Sequence, residues 1–455
     1  MTNFSKMAYQ SADDLMFGRA KVPVTCGYGL EVGTGMVLPE VNFTLPTMKV
    51  EHEQLPAILR QYDDMVSSIL QRLVTLGMPG AMIEFEHAPQ MTEELEIGTA
   101  ITAKIRTLMQ SFYEKHGLRT ALRVTVCDIR EKSRPPQMRS GEATEKMFEA
   151  FRLSAANGAH LLSIESTGGK EVSDRALMEA DVQGLLLALG ILAPRDSRFL
   201  WQKIVAIANE HKIIPAGDTA CAFANTAMIL ADQRYIPNVL AAVVRAMSAV
   251  RTLVGNEVGA VGPTKDCGYE GPVIKAITGC PVSLEGKSAA CAHFSHMGNI
   301  AMATCDLWSN ESVQNVKLLS GHAPEVFTEI LTYDCRLMNE ALQAGQERAL
   351  QNLFVSSDAY KSVHALVISP QASFEIAEAI LSHQSDFDRT RAAGLQACQI
   401  IRDASATGKL PLPDRESAWL DQIEEVLQEN ADEGKVLEDG SAQFGELFLP
   451  KEYGL

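Results

Sequence analysis

Amphipathic stretches alternate with short apolar runs along the first part of the chain. Residues 55–76 place apolar side chains on one helical face, and the run AMIEFEH follows at 81–87. An apolar repeat of three to four residues predicts a helix, and a short apolar run ended by polar residues predicts a buried strand. The alternation continues with predicted helices at 92–115, 142–156, 199–210 and 238–253, and with predicted strands at 121–127, 159–165, 212–218 and 257–261.

This alternation is typical of parallel strands joined by crossover helices. We predict an α/β fold, a TIM-type (β/α)8 barrel with an N-terminal extension and additional C-terminal helices. The pattern contains five strands, and weaker candidates at 282–285 and 316–319 leave closure of the barrel inferred. A doubly wound sheet is the structural alternative. Only helical periodicity follows residue 326, so the predicted units are the extension plus barrel at 1–325 and a helical region packed on it at 326–455.

The charge balance excludes two classes of partner. The chain has 40 Lys and Arg against 57 Asp and Glu, a formal net charge of −17. It has no positive field to attract nucleic-acid phosphates or anionic lipids, so we expect no nucleic acid and no membrane partner. The apolar run at 184–192 is shorter than the ~20 residues that span a bilayer. The N-terminal segment lacks the features of a secretory signal, so a cytoplasmic location is expected.

The nine cysteines include no C-x-x-C pair, which excludes a zinc ribbon and leaves isolated ligands brought together by the fold. Glu165, Cys221 and Cys267 each follow a predicted strand, and the carboxyl ends of barrel strands line one mouth. Cys221 in GDTAC and Cys267 in PTKDC stand in polar loops, where a space-filling thiol has little to pack against. Convergence of the three residues on one zinc ion is one interpretation, and packed core thiols are the other.

Other candidate residues have simpler interpretations. Cys291, His293 and His296 resemble a ligand group, but their Ser, Ala and Phe neighbours favour packing. His87 stands at a strand end, where it suits an acid–base group or a hydrogen-bonded structural histidine. The glycine-rich stretch at 27–35 has no strand before it and no helix after it, so no nucleotide-binding loop is predicted. Core packing is assigned to Cys280, Cys305, Cys335 and Cys398.

Longer sequence blocks are spread over the whole chain. They are SADDLMFG at 11–18, GLEVGTG at 29–35, LPEVNF at 38–43, LLSIESTGGKEV at 161–172, AGDTACAFANTAM at 216–228, GAVGPTKDCGYE at 259–270, KAITG at 275–279, CDLWSNESV at 305–313 and KEYGL at 451–455. Through these blocks the sequence resembles the methanol:corrinoid methyltransferases, in particular the zinc-bearing subunit that hands the methyl group of methanol to a corrinoid protein.

The resemblance implies that zinc is held by Glu165 of SIESTGGKE, Cys221 of GDTAC and Cys267 of GPTKDCGYE. These are the three residues that the strand ends had singled out. The resemblance also implies a barrel fold with helical additions and a separate corrinoid protein that carries the cobalamin cofactor. The motif D-x-H-x-x-G is absent from this chain, in agreement with a partner-borne corrinoid. We expect a homodimer within a hetero-oligomer, because barrel enzymes of this size are frequently dimeric.

The expected reaction transfers the methyl group of methanol to Co(I) of the partner's corrinoid, with zinc as a Lewis acid on the methanol oxygen. Asp218, Asp266 and His87 are the positional candidates for a catalytic proton transfer. Either aspartate also suits a role in orienting a neighbouring metal ligand. Three alternatives stand beside this reading: the same transfer from another small methoxy donor, a zinc-dependent barrel lyase or hydrolase using metal-bound water, and a non-enzymatic scaffold for a corrinoid protein.

Overall fold

The computed structural model of the protein describes residues 4–44, 49–287, 296–313, 317–318 and 321–455. Cys291 and His293, weighed above as ligands, lie outside these residues, as does part of the strand candidate at 316–319. The strands are β1 (Arg19–Cys26), β2 (Leu30–Thr34), β3 (Leu38–Thr44), β4 (Gly80–Glu86), β5 (Arg119–Val126), β6 (Leu161–Ile164), β7 (Ile214–Gly217), β8 (Ser283–Glu285), β9 (Leu307–Val313), β10 (Lys317–Leu318) and β11 (Gly321–His322).

Helices follow most of these strands and occupy the C-terminal part of the chain. They are α1 (Leu55–Thr75), α2 (Pro89–Glu93), α3 (Leu95–His116), α4 (Glu142–Ala156), α5 (Lys170–Glu179), α6 (Val182–Leu186), α7 (Ala193–His211), α8 (Cys221–Asp232), α9 (Asn238–Glu257), α10 (Gly271–Thr278), the short 3-10 helix α11 (Ile300–Ala303), α12 (Ala323–Gln343), α13 (Glu347–Asp358), α14 (Val363–Val367), α15 (Pro370–Leu381), α16 (Asp386–Ala406), α17 (Asp414–Glu429) and α18 (Glu433–Phe444).

Seven strands form one curled, all-parallel sheet in the order β7-β6-β5-β4-β3-β9-β8. Successive side chains of a strand point to opposite faces. Ile83 and Phe85 of β4 therefore pack beneath the surrounding helices, whereas Glu84 lies on the inner face of the curl, where Arg123 of β5 also lies. The predicted α/β class is confirmed, and the inner face of the sheet is polar.

The N-terminal extension covers one end of this inner face. β1 and β2 form an antiparallel hairpin. Its Val32 belongs to a small apolar cluster with Met82 of β4, Ala121 of β5 and Leu161 of β6, all near the amino ends of their strands. The hairpin therefore seals the amino end of the curled sheet, and the carboxyl end is left for the site.

One strand prediction is wrong. Residues 257–261 were expected to form a strand, but α9 runs to Glu257 and the following residues are irregular. The helix extends further than predicted because its apolar surface is used on all sides, against α7, α8, α10, α14, α16 and α17. By length and composition α9 is the one described helix that could cross a membrane, yet 94% of its apolar window is buried inside the protein, as in a core helix.

The C-terminal helices pack against the sheet and against α9. α12 lies on β3, β9 and α1, so it belongs to the helical layer around the sheet. α15 packs on α10 and α16, and α16 packs along α9. These contacts form a second apolar core beside the one beneath the sheet.

Candidate metal centre

Three potential metal ligands come together at the carboxyl end of the sheet. The ligand atoms of Glu165, Cys221 and Cys267 all lie within 4.8 Å of one another. The two cysteines are buried and Glu165 is partly exposed. Cys267 Sγ donates a hydrogen bond to Glu165 Oε1 at 3.3 Å. Each of the two thiols therefore lies near a carboxylate as well as near the other thiol.

Two of the three candidate ligands stand at the ends of secondary-structure elements, and the third lies in a loop. Glu165 directly follows β6, and Cys221 is the first residue of α8, a short loop after β7. Cys267 lies in the loop between α9 and α10. A helix N-terminus favours a thiolate, because the aligned peptide dipoles place positive potential there.

Asp218 holds together the loops that carry the first two ligands. Its Oδ1 accepts hydrogen bonds from the backbone N–H of Ser166 at 3.1 Å and of Thr219 at 2.8 Å. Its Oδ2 accepts from Ser166 Oγ at 2.7 Å, Trp201 Nε1 at 3.0 Å and Arg251 Nη2 at 2.9 Å. With five donors on its two oxygens, Asp218 is suited to positioning the ligand loops.

The two thiols share a hydrogen bond. This bond and burial raise the pKa of Cys267 well above its ordinary value. For Cys221 the bond to Cys267 lowers the pKa and burial raises it, with a net rise to about 12. A second donor reaches Cys221: the side-chain amide of Asn225, one helical turn further along α8, donates to Sγ at 2.8 Å. Cys221 thus has a neighbour that stabilises negative charge on sulfur.

Lys265 is a buried cation beside the ligands. Its ammonium donates to Cys267 Sγ at 3.5 Å. Burial would lower its pKa, but the charge of Asp266 and of other neighbours raises the pKa well above the usual range. Its Nζ lies within ion-pair distance of Glu84 Oε1 at 3.4 Å, Glu86 Oε2 at 3.1 Å, Glu165 Oε1 at 3.1 Å and Asp266 Oδ1 at 2.7 Å.

Two of these carboxyl groups are shifted in opposite directions. Burial raises the pKa of Glu84 well above its ordinary value. Burial acts in the same sense on Asp266, but Lys265 and a hydrogen bond from Ser309 Oγ outweigh it and lower the pKa of Asp266 to about 2. Asp266 is therefore the anionic partner of Lys265, next to Cys267.

His87 faces away from this cluster. The side chains of Glu84 and Glu86 lie on the inner face, and alternation along the chain sends Phe85 and His87 to the other side. The rings of Phe85 and His87 are 4.9 Å apart, and His87 Nδ1 lies 3.3 Å from Thr92 Oγ1. Burial lowers the pKa of His87 to about 3. The structure therefore separates His87 from the residues that it brings together around Cys267.

The donor set fits a thiophilic divalent cation. Two thiols and one carboxylate are a ligand combination that zinc accepts, and the spacing of their ligand atoms is one that a single ion bridges. One ammonium faces four carboxyl side chains, a negative excess that a divalent cation would offset. Thr219 Oγ1, Thr264 Oγ1 and Glu84 Oε2 are buried nearby without a hydrogen-bond partner, which suits a small polar ligand.

A model of the methanol-cobalamin methyltransferase B subunit family matches residues 1–454. The chain belongs to this family. It is 37% identical over 460 residues to the methanol–corrinoid protein co-methyltransferase of Methanosarcina barkeri, with 99% of each chain covered. It also matches the crystal structure of the methanol:cobalamin methyltransferase complex MtaBC from Methanosarcina barkeri, with a TM-score of 0.95, 36% identity and 100% of both chains covered.

The sequence did not predict several residues that surround the site in this family member. Lys265 stands in the quoted motif PTKDC, and Asn225 stands four residues after Cys221, the spacing of helical neighbours. Glu84 is a charged residue inside an apolar strand, a signal that its side chain points into an interior. His296, weighed with Cys291 and His293, lies instead beside a cavity next to α8 and α9.

Proposed function

We propose that this protein is a methanol:corrinoid protein methyltransferase, which transfers the methyl group of methanol to the cobalt of a corrinoid held by a partner protein. The observation that carries the proposal is the convergence of Glu165, Cys221 and Cys267 in a chain that matches the methanol-cobalamin methyltransferase B subunit family over 1–454. The name of the Methanosarcina barkeri relative, a methanol–corrinoid protein co-methyltransferase, supports the same reaction.

We propose that the bound metal is zinc, held by Glu165, Cys221 and Cys267. Two sulfurs and one carboxylate suit zinc better than the hard cations magnesium and calcium, which prefer oxygen ligands. When bound, zinc supplies Lewis acidity that polarises the C–O bond of methanol. Three protein ligands are also the number typical of catalytic zinc sites, which keep one position for substrate.

The surrounding side chains have separate roles in this proposal. Lys265 places positive charge beside Glu165 and Cys267 and is itself held by Asp266. Asn225 donates its N–H to Cys221 Sγ and so orients this ligand. Asp218 holds the loops of Glu165 and Cys221. Of the three proton-transfer candidates, Asp266 has the position closest to the ligands, because its Oδ1 lies 3.4 Å from Cys267 Sγ.

We further propose that residues 260–263 occupy the eighth strand position of a closed TIM-type barrel. Val261 donates its N–H to Pro215 O at 2.9 Å, and Gly262 donates to Ala216 O at 2.7 Å, so this segment continues the sheet beyond β7. On its other side, a Cβ placed on Gly262 would lie 2.6 Å from Pro281 O, just before β8. A side chain at Gly262 would thus collide with the neighbouring segment.

The proposed organisation has the extension and barrel at 1–325 and a helical region at 326–455. All strands of the curled sheet precede residue 325, and helices follow in the described residues. The boundary falls in the first turn of α12, which itself packs on the sheet. We also propose a cytoplasmic protein that forms a homodimer within a hetero-oligomer with its corrinoid protein, a partner supported by the MtaBC complex of the similar structure.

The experiment that tests the proposed reaction is an anaerobic assay. Metal-analysed protein is mixed with chemically reduced cobalamin and with methanol, ethanol or a methoxyarene in turn, and loss of the Co(I) absorption is followed. The expected result is methylation with methanol alone, at a rate proportional to zinc content. Methylation from a different donor would keep the methyl transfer and replace the substrate. Absence of methylation with every donor, also with a corrinoid protein supplied, would contradict the proposal.

A further inference from the structure

One buried arginine differs from all the others. Five arginine side chains of the described chain are at most 2% exposed. Four of them form an ion pair with a carboxylate: Arg123 with Glu40, Arg130 with Asp128 and Asp196, Arg251 with Asp218, and Arg389 with Glu257. The fifth, Arg245 of α9, has no carboxylate within ion-pair distance among the described residues.

The contacts of Arg245 are weak substitutes for an anion. Its Nη1 lies 3.0 Å from the thioether sulfur of Met297, and its Nη2 contacts that of Met228. Its guanidinium carbon lies 4.7 Å from the centre of the Tyr269 ring. Arg245 Nε and the Tyr269 hydroxyl are buried without a hydrogen-bond partner. Thioether sulfur is only a weak acceptor. Arg245 Nε and the Tyr269 hydroxyl are therefore two strong donors whose hydrogen-bonding capacity is unsatisfied.

A cavity adjoins Met228, one of these two methionines. It has a volume of about 310 Å³ and lies between α8, the start of α9, the start of α14 and the loop at 410–413. Met228 lines it, and so does His296, the neighbour of Met297. Methionine has a flexible side chain that repacks at low cost. Rotation of Met228 would therefore connect the cavity with the guanidinium behind it.

We propose that Arg245 and Tyr269 form the polar end of a binding site for a small organic carboxylate. The guanidinium fork matches a planar carboxylate, and the Tyr269 hydroxyl adds a donor. The apolar wall formed by Leu410, Leu412 and Val363 suits a short hydrocarbon tail. The ligand would replace the two thioether contacts with charge-assisted hydrogen bonds.

The burial of charge supports this assignment. Transfer of an unpaired ion from water to a protein interior is costly, and removal of its counter-ion leaves that cost uncompensated. Burial lowers the pKa of Arg245 to about 10, so the group is still a cation at neutral pH. A bound carboxylate would give Arg245 an anionic partner of the kind that each of the other four buried arginines has. The charges of Glu270 and of Cys221, one of the proposed zinc ligands, also reach Arg245. The binding test is nevertheless read independently of the proposed reaction.

The test is calorimetric titration of the full-length, metal-analysed protein with butyrate and 3-phenylpropionate at constant ionic strength. Butyramide and chloride are the comparison ligands, and Arg245→Met and Arg336→Met are the variants. Arg336 is an exposed residue of α12, so its variant is the control. We expect binding of the carboxylates with a Kd on the order of 1 mM, typical of ligands with few atoms, and a loss of about tenfold or more in Arg245→Met.

Three results would overturn the proposal. The first is no carboxylate binding to the unaltered protein, which settles the matter even if Arg245→Met does not fold. The second is equal binding to both variants, which would place the carboxylate elsewhere, for example on the metal. The third is equal binding of butyramide or chloride, which would remove the need for a carboxylate. Methyl transfer to cobalamin is measured separately, so a failure of one proposal is distinguishable from a failure of the other.

Discussion

Lys265 Nζ lies 3.1 Å from Glu165 Oε1, the carboxylate oxygen that Cys267 Sγ approaches at 3.3 Å. A buried ammonium and the thiol of a proposed metal ligand thus share one carboxylate oxygen. The positive charge holds Glu165 in place, but it also opposes a cation that binds to the same group. Lys265 is therefore expected to influence both the stability of the metal-free protein and its affinity for metal.

Replacement of Lys265 by Met separates these two effects. The variant leaves the buried carboxyl groups of Glu84 and Asp266 without their cation, so we expect the metal-free unfolding free energy to fall by about 3–5 kcal/mol. Added zinc is expected to recover more stability than in the unaltered protein, because repulsion between two cations is lost. Urea unfolding with and without zinc measures both. The control is Lys146→Met, an exposed residue paired with Glu142, for which no measurable change is expected because solvent screens this ion pair. An unchanged stability in Lys265→Met would contradict the ion-pair role.

Removal of one proposed ligand tests the metal site directly. In Cys267→Ala we expect loss of most bound zinc and of methyl transfer, because a site with two protein ligands binds metal weakly. The matched control is Cys305→Ala, a buried cysteine of the apolar core that packs beneath the sheet. It should keep its zinc and lose about 1 kcal/mol of stability from the small cavity. Metal analysis after dialysis against a chelator distinguishes the two variants. Full zinc content in Cys267→Ala would exclude this cysteine as a ligand.

The hydrogen bond from Asn225 to Cys221 predicts a weaker effect on the same metal. Loss of a group that orients a ligand typically lowers metal affinity by about 10–100-fold. We expect this loss in Asn225→Ala, together with a shift of the thiolate-to-metal absorption after substitution with cobalt. Thr226→Ala, one residue further along α8, is the control, because its hydroxyl only bonds the helix backbone. Equal affinities in the two variants would show that the Asn225 bond has no influence on the site.

The burial of His87 predicts that part of the unfolding free energy is lost in acid. Burial lowers its pKa to about 3, whereas a histidine of the unfolded chain titrates near 6.5. Between these values the unfolded state binds the extra proton. Stability from this group is therefore complete above about pH 6.5 and is lost as the pH falls, by up to about 1.4 kcal/mol per pH unit.

The variant His87→Asn should lose stability less steeply from pH 6.5 down to pH 4 than the unaltered protein does. Chemical denaturation at a series of pH values measures the two slopes. His116→Asn is the control for the loss of an imidazole, because His116 is an exposed residue at the end of α3. Parallel curves for His87→Asn and the unaltered protein would mean that His87 does not titrate in this way.

The sequence by itself determined the α/β class and most element positions. Helical periodicity and short apolar runs are local patterns, so the helix at 142–156 and the strand candidate at 282–285 agree closely with α4 and β8. The placement of Glu165 and Cys221 after strands also followed from local sequence patterns. Together with the family resemblance they identified the three residues that the structure brings within 4.8 Å.

Tertiary structure decided what surrounds those residues. Whether Asp218, Asp266 or His87 faces Cys267 depends on strand alternation and on contacts between residues far apart in the chain. Asp218 meets Arg251, Asp266 meets Lys265, and His87 points to the opposite side of its strand. The extent of α9 was decided in the same way, by helices that bury it from all sides. The unpaired charge of Arg245 likewise exists only in the folded protein, because an arginine in the sequence carries no mark of whether an anion will lie beside it.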